Sequence, residues 1–357
     1  MAVKVISIET LKDAKRQGTF EQKVPFVLDG KEHSVKKRIV NGEMEVYALS
    51  KPMGEMITTD AVRKELLEKV VLDVELGRET TPTLYAPIYE RIEDRNFPEI
   101  FDAKWAQKGV IVFAEHIEGE EVKFGHLQAE EGPTARIATY AAGIEYTEDM
   151  VEYNRTFEMD EIDRAFGEAY NALLNHIHFG PIINFTYGTA NKTGAVLIDV
   201  EGNLPVEGDT AFAAHPILSL RETLKKGMAD ARQAKRPGNI LLVSGTRLDH
   251  IQEALGKFHV RGTDYASLTG IDTIIAYDGW EAQVGKKSFK YNGVADTKAY
   301  LIRPKRGFKE LVKHDLRIDA TLADLSRLVE AQIVGRARRG VFAALTENVQ
   351  EITLPEF

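Results

Sequence analysis

The chain contains no cysteine, which removes disulfides, thiolate metal sites, iron–sulfur clusters and a cysteine nucleophile in one step. It has no apolar run long enough to cross a bilayer. Its start, MAVKVISIETLKDAKRQG, lacks both the apolar stretch and the small-residue cleavage site of a secretory signal. These absences set the expectation of a protein made and used in a cytoplasm. Internal repeats and low-complexity linkers are missing too. So is a cationic balance: 46 Lys and Arg stand against 55 Asp and Glu, a formal charge of -9. Coating nucleic acid relies on a concentrated cationic surface that releases counterions, so that role is not expected, although a container for DNA tolerates a non-adhesive inner face.

What is present is an ordinary globular composition, 357 residues with 43% hydrophobic and 28% charged, enough for about two domains with a sizeable core. Residues 1–57 hold short alternating runs (Val3, Val5; Val24, Phe26, Leu28; Val46, Tyr47, Leu49) broken by Asp29-Gly30 and Asn41-Gly42, which predicts two short hairpins. Thr59 can cap a helix from Asp60 to Leu76, with Val62, Leu66, Val70 and Val74 four apart and Gly77 as its stop. Pro82, Pro87 and Pro98 among mixed charges read as an extended arm laid on a surface. Gly109 to His116 and Glu121 to Leu127, joined by Ile117-Glu118-Gly119-Glu120, predict a long acidic hairpin that is marginal by itself and needs support.

Arg136 to Tyr146 reads as a strand. Asp160 then opens the clearest helix, with Ile162, Ala165, Phe166, Ala169, Tyr170, Leu173 and Ile177 on one face and Gly180-Pro181 closing it. Phe185 to Asp209 reads as strand and turn around the apolar Ala195 to Ile198. A helix from Pro216 to about Ala234, the apolar strand Ile240 to Val243, a helix through Leu255 and a strand Thr273 to Tyr277 make a compact α/β unit with a sheet buried on both faces. Tyr300 to Ile302, Leu316 to Ile318 and Val349 to Leu354 return to β.

No catalytic pattern stands out. Ser244-Gly245-Thr246, between strand and helix, could cradle a phosphate on backbone N–H groups, but it lacks the spacings of the glycine-rich nucleotide loops and reads as an ordinary turn. His176 with His178, and His116 with His126, lack the spacing that sets two imidazoles and a base on one helix face, and read as packing or surface histidines. No GxSxG elbow is present. Glu115, Glu118, Glu120, Glu121, Glu130 and Glu131 match no calcium loop. They read as a solvated acidic hairpin or as partners for cations on a neighbouring copy. The densest basic stretch, Gly335-Arg336-Ala337-Arg338-Arg339-Gly340, reads as a strand end with exposed arginines, as a subunit contact or as a nucleic-acid contact.

The segments VRKELLEK, GVIVFAEHIEGEEVKFGHLQ, ATYAAGIEYTEDMVEYN followed by MDEIDRAFGEAYNALLNHI, NILLVSGTRLDHIQEAL with LTGIDTIIAYDGW, and RRGVFAAL come in a telling order. From about Thr59 onward that order resembles the major capsid proteins of tailed bacteriophages, with the Hong Kong phage-type capsid fold. The resemblance implies an α+β chain: an N-terminal extension over 1–57, an arm over 58–102, an extended loop over 103–139, a peripheral domain over 140–209 with its spine helix at 160–177, an axial domain over 210–294, and a return to the peripheral domain over 295–357.

It further implies a structural protein that is not an enzyme and needs no cofactor or metal. That protein builds pentamers and hexamers of an icosahedral shell around double-stranded DNA, without sequence-specific binding and without a membrane. The implied location is the virion, after assembly in the host cytoplasm. The implied partners are further copies of the chain, a separate scaffolding protein, a portal and a decoration protein. Glu118, Glu121, Lys123 and Phe124 in the hairpin are the expected contacts, with Arg336, Arg338 and Arg339 as charge partners, and no covalent cross-link through Lys123 is expected. Two alternatives stay open: an encapsulin-like compartment holding protein cargo, and an enzyme binding a phosphorylated ligand at Ser244 to Thr246.

Overall fold

The structure is a computed structural model that describes residues 3–13, 18–28, 30–45, 60–98, 100–102, 134–153, 155–206, 212–284, 287–321 and 329–356. The acidic hairpin expected over 109–127 lies outside the described residues. The chain is mixed α+β, organised as two sheets joined by one long helix.

The first sheet has six strands in the order β1 (Lys4–Ile6), β13 (Thr273–Ala276), β10 (Ile240–Val243), β16 (Lys298–Ile302), β19 (Val349–Thr353) and β9 (Lys192–Thr193). All four residues of β10 are buried, as a wholly apolar run in a sheet covered on both faces should be. Helices α5 (Pro216–Gln233) and α6 (Leu248–Leu255) cover one face, setting Leu224, Met228 and Ile251 against Leu241, Val243 and Ile274. The C-terminal half of α4 (Thr156–Asn184) covers the other, setting Leu174, Phe179 and Ile182 against Leu242, Ile275 and Ile302. Each fully buried aliphatic side chain here stabilises by about 1.5–3 kcal/mol.

The second sheet runs β4 (Glu43–Met44), β3 (Lys31–Val40), β2 (Thr19–Leu28), β17 (Phe308–Thr321), β18 (Val329–Ala343) and β8 (Ala138–Thr147), with β5 (Glu90–Glu93) as a further partner of β17. Strands β2 and β3 form one long hairpin, and Asn41-Gly42, both at positive φ, turns β3 into β4 as the sequence predicts. The N-terminal extension therefore spans both sheets: Val3 and Val5 belong to no hairpin, because β1 pairs in parallel with β13. The outer edge of β17 is shared. Strand β5 pairs with Lys309–Val312 and β2 with Asp319–Ala320, both in parallel, and the stretch between them is irregular against β18.

Helix α2 (Asp60–Thr80) packs Leu66, Val70 and Val74 into the core of this second sheet, with Tyr146, Met159 and Ile333. It crosses α4 in backbone contact. A Cβ on Gly77 would stand 2.0 Å from the Arg164 carbonyl oxygen, and one on Gly167 2.0 Å from that of Val74. Gly77 is thus a close-approach residue inside the helix and not its stop.

Three further expectations are corrected by packing. Helix α4 does not close at Gly180-Pro181 but continues to Asn184. An internal proline costs a helix about 3 kcal/mol, and here Phe179 and Ile182, both fully buried, offset it. The proline-rich arm is not laid on a surface: Leu84, Tyr85, Ile88 and Tyr89 are core residues. Ala195 to Ile198 forms no strand.

Two small hairpins, β11 (Phe258–Val260) with β12 (Thr263–Tyr265) and β14 (Gly279–Val284) with β15 (Lys287–Asn292), project from the α/β unit. Strands β6 (Ile100–Asp102) and β7 (Thr134–Arg136) pair antiparallel, so the chain leaves for residues 103–133 and returns at one place. Short helices α1 (Ile8–Asp13), α3 (Glu148–Glu152) and α7 (Leu345–Asn348), with 3-10 turns at Thr189–Asn191 and Gly245–Arg247, complete the described elements. Among the described residues no helix is long and apolar enough to cross a membrane.

Candidate functional site: the arginine strand and its surroundings

The basic run is the middle of β18, not a strand end. Strand side chains alternate between faces, so Arg336 and Arg338 share one face while Ala337 and Arg339 take the other. Arg336 and Arg338 are exposed, whereas Arg339 is 1% exposed. Of the three arginines proposed as charge partners, Arg339 is therefore corrected to an internal role. Glu118, Glu121, Lys123 and Phe124 lie outside the described residues.

Arg339 donates to Glu310 through Nη1 and to Asp315 through Nη2. Tyr85 Oη donates to Glu310 Oε1 at 3.1 Å, Tyr170 Oη to Asp315 Oδ1 at 3.2 Å, and Arg91 Nη2 to Asp315 Oδ2 at 3.0 Å. Of these residues Asp315 lies in the irregular stretch of β17, and Glu310 in the regular part before it. Burial would raise the Asp315 carboxyl, but the Arg339 and Arg78 guanidiniums outweigh it and hold its pKa well below the usual carboxylate range. Burial likewise opposes the Arg339 charge, and Tyr170, Asp315, Tyr85 and Glu310 overcome it. Breaking a buried pair of this kind strands a charge, at about 3–5 kcal/mol.

His178 stacks on Tyr85 with ring centroids 3.5 Å apart, and its Nδ1 meets the Leu174 carbonyl at 2.6 Å. Its Nε2 lies 3.7 Å from Glu310 Oε1. Burial pushes this imidazole down to about 3, with Arg339 adding to the effect, so it is neutral near pH 7 and that approach is not an ion pair. His176 stacks on Tyr291 at 4.3 Å. Both are packing histidines, as the spacing predicts; His116 and His126 lie outside the described residues.

On the solvent face, Arg336 pairs with Asp319 at 2.6 Å, and Asp319 also accepts from Arg317 Nε at 3.1 Å. Strand register sets Arg338 opposite His314 and Arg336 opposite Arg317. Burial first, then Arg338, Arg95, Lys313 and Arg317, lower the pKa of His314. The outer face of the sheet is thus a cationic strip on a chain of net charge -9.

A second buried cluster lies where α2, α4 and β8 meet. Tyr146 Oη donates to Asp163 Oδ1 at 2.6 Å, and Asp163 Oδ2 has no partner among the described residues. Lys69 donates to Asp73 at 2.6 Å and to Asp160 at 2.5 Å. Burial, with Asp73 and Asp160 adding to it against Lys69 and the Tyr146 bond, pushes the Asp163 carboxyl up to about 8. Asp163 lies four residues after Met159 and three and seven before Phe166 and Tyr170, so helical spacing sets it on the buried face, whereas Ile162 and Ala165, expected on that face, are exposed.

The Ser244 turn is already filled. Gly245 N–H donates to Asp278 Oδ1 at 2.6 Å, Ser244 Oγ to the same oxygen at 3.1 Å, and Thr246 Oγ1 to Asp296 Oδ1 at 2.5 Å. A Cβ on Gly245 would stand 2.2 Å from Asp278 Oδ2. A phosphate placed there would meet two carboxylates, which favours the ordinary-turn reading. Among the described residues no group of three or more His, Asp or Glu is placed to hold a metal.

No family model and no curated protein matches the sequence. Among solved structures, the chain is similar to the virus-like particle from Pyrococcus furiosus at 12% identity and a TM-score of 0.47, covering 81% of this chain and 99% of that one. It is similar to the mature capsid of bacteriophage PhiM1 at 9% identity and a TM-score of 0.46, covering 77% and 88%. It is similar to the SrpI encapsulin from Synechococcus elongatus at 7% identity and a TM-score of 0.41, covering 78% and 93%. At such values no residue role passes from those shells to this chain.

Proposed function

We propose that this chain is a structural subunit that assembles as pentamers and hexamers into a closed icosahedral shell around double-stranded DNA. The observation that carries the reading is the layout around α4. One 29-residue helix runs out of the core of the seven-stranded sheet and into that of the six-stranded sheet, while residues 103–133 leave and return through the short β6–β7 pair. A body of two sheets on one spine, with the chain leaving and returning at one place, is suited to repeated contacts between copies.

In this reading residues 58–102 are the arm, 103–139 the loop that reaches a neighbour, 140–209 with 295–357 the peripheral domain, and 210–294 the axial domain clustered at the symmetry axes. Glu118, Glu121, Lys123 and Phe124 contact the next copy, and the exposed Arg336 and Arg338 offer counter-charge. Folding and assembly reinforce each other, because contacts made only by the folded subunit draw the equilibrium toward it. A separate scaffolding protein and a portal direct closure, a decoration protein can join the outer surface, and the location is the virion after assembly in the host cytoplasm.

Electron microscopy of the full chain after size-exclusion chromatography, with and without its scaffolding protein, tests the reading. Closed particles or rings of five and six subunits are expected, with nuclease-protected DNA in particles recovered from cells. Particles filled with protein cargo and free of DNA would replace the DNA container by a protein compartment. A monomer that never assembles under either condition would overturn both.

A further inference from the structure

Over its first turns α4 is buried on one face and open on the other. Met159, Asp163, Phe166 and Tyr170 face the core. Phe157, Glu161 and Ala165, spaced four apart, are exposed, as are Glu158 and Ile162 on the neighbouring line of the helix. Phe157 is 70% exposed, and Tyr153, just after α3, is 67% exposed. The patch is continuous: Arg155 lies over the Tyr153 ring at 5.7 Å and meets Glu158 at 3.4 Å, one turn before Ile162. Single exposed apolar residues are normal on a soluble chain, but a joined patch with two aromatic rings marks a surface that something covers.

The rim of the patch is acidic. Asp149, Glu152 and Glu161 are exposed and make no ion pair among the described residues. Glu158 is held by Arg155 alone, and both are about half exposed, so water screens the pair. A complementary surface carries apolar residues at three- and four-residue spacing to cover the rings, flanked by lysine or arginine to meet the carboxylates.

The described residues of a second copy offer no such surface. The exposed bases of α5, Lys225, Lys226 and Arg232, and those of β18, Arg336 and Arg338, stand beside no large exposed apolar side chain. Outside the patch, the large exposed apolar side chains all lie off the helices. Among them Phe289 has a lysine next to it, but strand register sets that residue, Lys290, opposite Glu281.

We propose that the exposed face of α4 from Phe157 to Ala165, together with Tyr153, is a docking surface for a basic amphipathic helix supplied by a different protein. The apolar stripe of that helix packs on Tyr153, Phe157 and Ile162 beside the small Ala165, and its cations meet Asp149, Glu152 and Glu161. The surface exists on the single folded chain, so the proposal goes beyond the reading of a shell subunit and does not depend on closure.

Because the chain has no cysteine, Ala165→Cys carries a lone thiol on the proposed surface and Lys226→Cys one on the outer face of α5. Each full-length variant, unassembled, is alkylated with a maleimide in the presence and absence of a synthetic leucine–lysine amphipathic peptide. The peptide has about 18 residues, enough for a helix of about 27 Å. A twin with glutamate in place of lysine is the control. The basic peptide should slow alkylation of Ala165→Cys about tenfold and leave Lys226→Cys unchanged, while the acidic twin slows neither. Fluorescence anisotropy of the labelled basic peptide should show saturable binding to the parent chain, weakened about tenfold by Phe157→Ser and again by Glu161→Lys. Both positions are exposed, and urea midpoints check that the variants keep their fold. Equal protection of the two thiols, which is diffuse attraction to an acidic chain, or protection of neither overturns the docking surface. Closed particles of the parent chain in the microscope leave the shell reading standing in either case.

Discussion

Around Arg339 the seven-stranded sheet buries Glu310 against a guanidinium that also holds the partly exposed Asp315, with Arg78 and Arg91 adding charge from α2 and β5. Around Asp163 the α2–α4 crossing gathers Asp73, Asp160 and Asp163 about Lys69. The first cluster has cations enough to keep Asp315 ionised. The second does not, so Asp163 keeps its proton near neutral pH. Burial opposes charge in both places, and the number and geometry of the cations decide whether a carboxylate pays by pairing or by protonation.

Removing the guanidinium is the strongest way to break the contrast. Arg339→Met leaves the buried Glu310 without its partner and should cost about 3–5 kcal/mol in urea unfolding; a loss under 1 kcal/mol would show that Arg78 and Arg91 suffice.

Asp163→Asn sharpens the comparison from the other side. The folded pKa of about 8 lies above the ordinary carboxylate value, so between about pH 4 and pH 8 the folded state holds a proton that the unfolded state has released. Stability from this group is present at low pH and is lost as pH rises through 8. The variant should match the parent near pH 4 and exceed it by about 2–4 kcal/mol at pH 9, measured as urea midpoints across that range. Parallel pH profiles for the two proteins would count against a buried protonated acid.

His178 lies beside the first cluster and titrates in the opposite sense. Its folded pKa of about 3 is below the ordinary imidazole value, so the unfolded state takes up a proton first, and stability falls as pH drops from about 6.5 toward 3. His178→Phe should flatten that acid limb by about 1–3 kcal/mol while losing the bond to Leu174 at every pH. Thermal unfolding at pH 7 and pH 4 distinguishes the two effects.

The smallest expected change is at Arg338, next to Arg339 in the strand but on the opposite face. Arg338→Glu should move the unfolding midpoint by less than about 0.5 kcal/mol, while weakening assembly as judged by the protein concentration at which particles appear. A large loss of stability would place Arg338 inside the fold's own charge balance.

How much of this was legible follows the range of the forces. The helices at Asp60 and Pro216, the strand Ile240–Val243 and the turn Asn41-Gly42 were legible because a local period or turn chemistry specifies each. Arg339 facing inward was legible in principle, since a strand period of two sets it opposite Arg336 and Arg338, but only once the run is placed in mid-strand. The continuation of α4 through Pro181, the burial of Tyr85 and Tyr89, and the role of Gly77 were not legible, because contacts distant in sequence outweigh the local signal there.

By itself the sequence determined the absence of sulfur chemistry, the acidic balance and the α+β alternation, but not the buried face of α4, where Ile162 and Ala165 are exposed and Asp163 is buried. The tertiary structure alone decided that the N-terminal segment serves both sheets, that one helix joins two cores, and which carboxylates keep their charge. Each of these depends on which surfaces meet at contact distance. Local pattern fixes the period of an element, whereas desolvation and pairing depend on neighbours that the chain supplies only when it is folded.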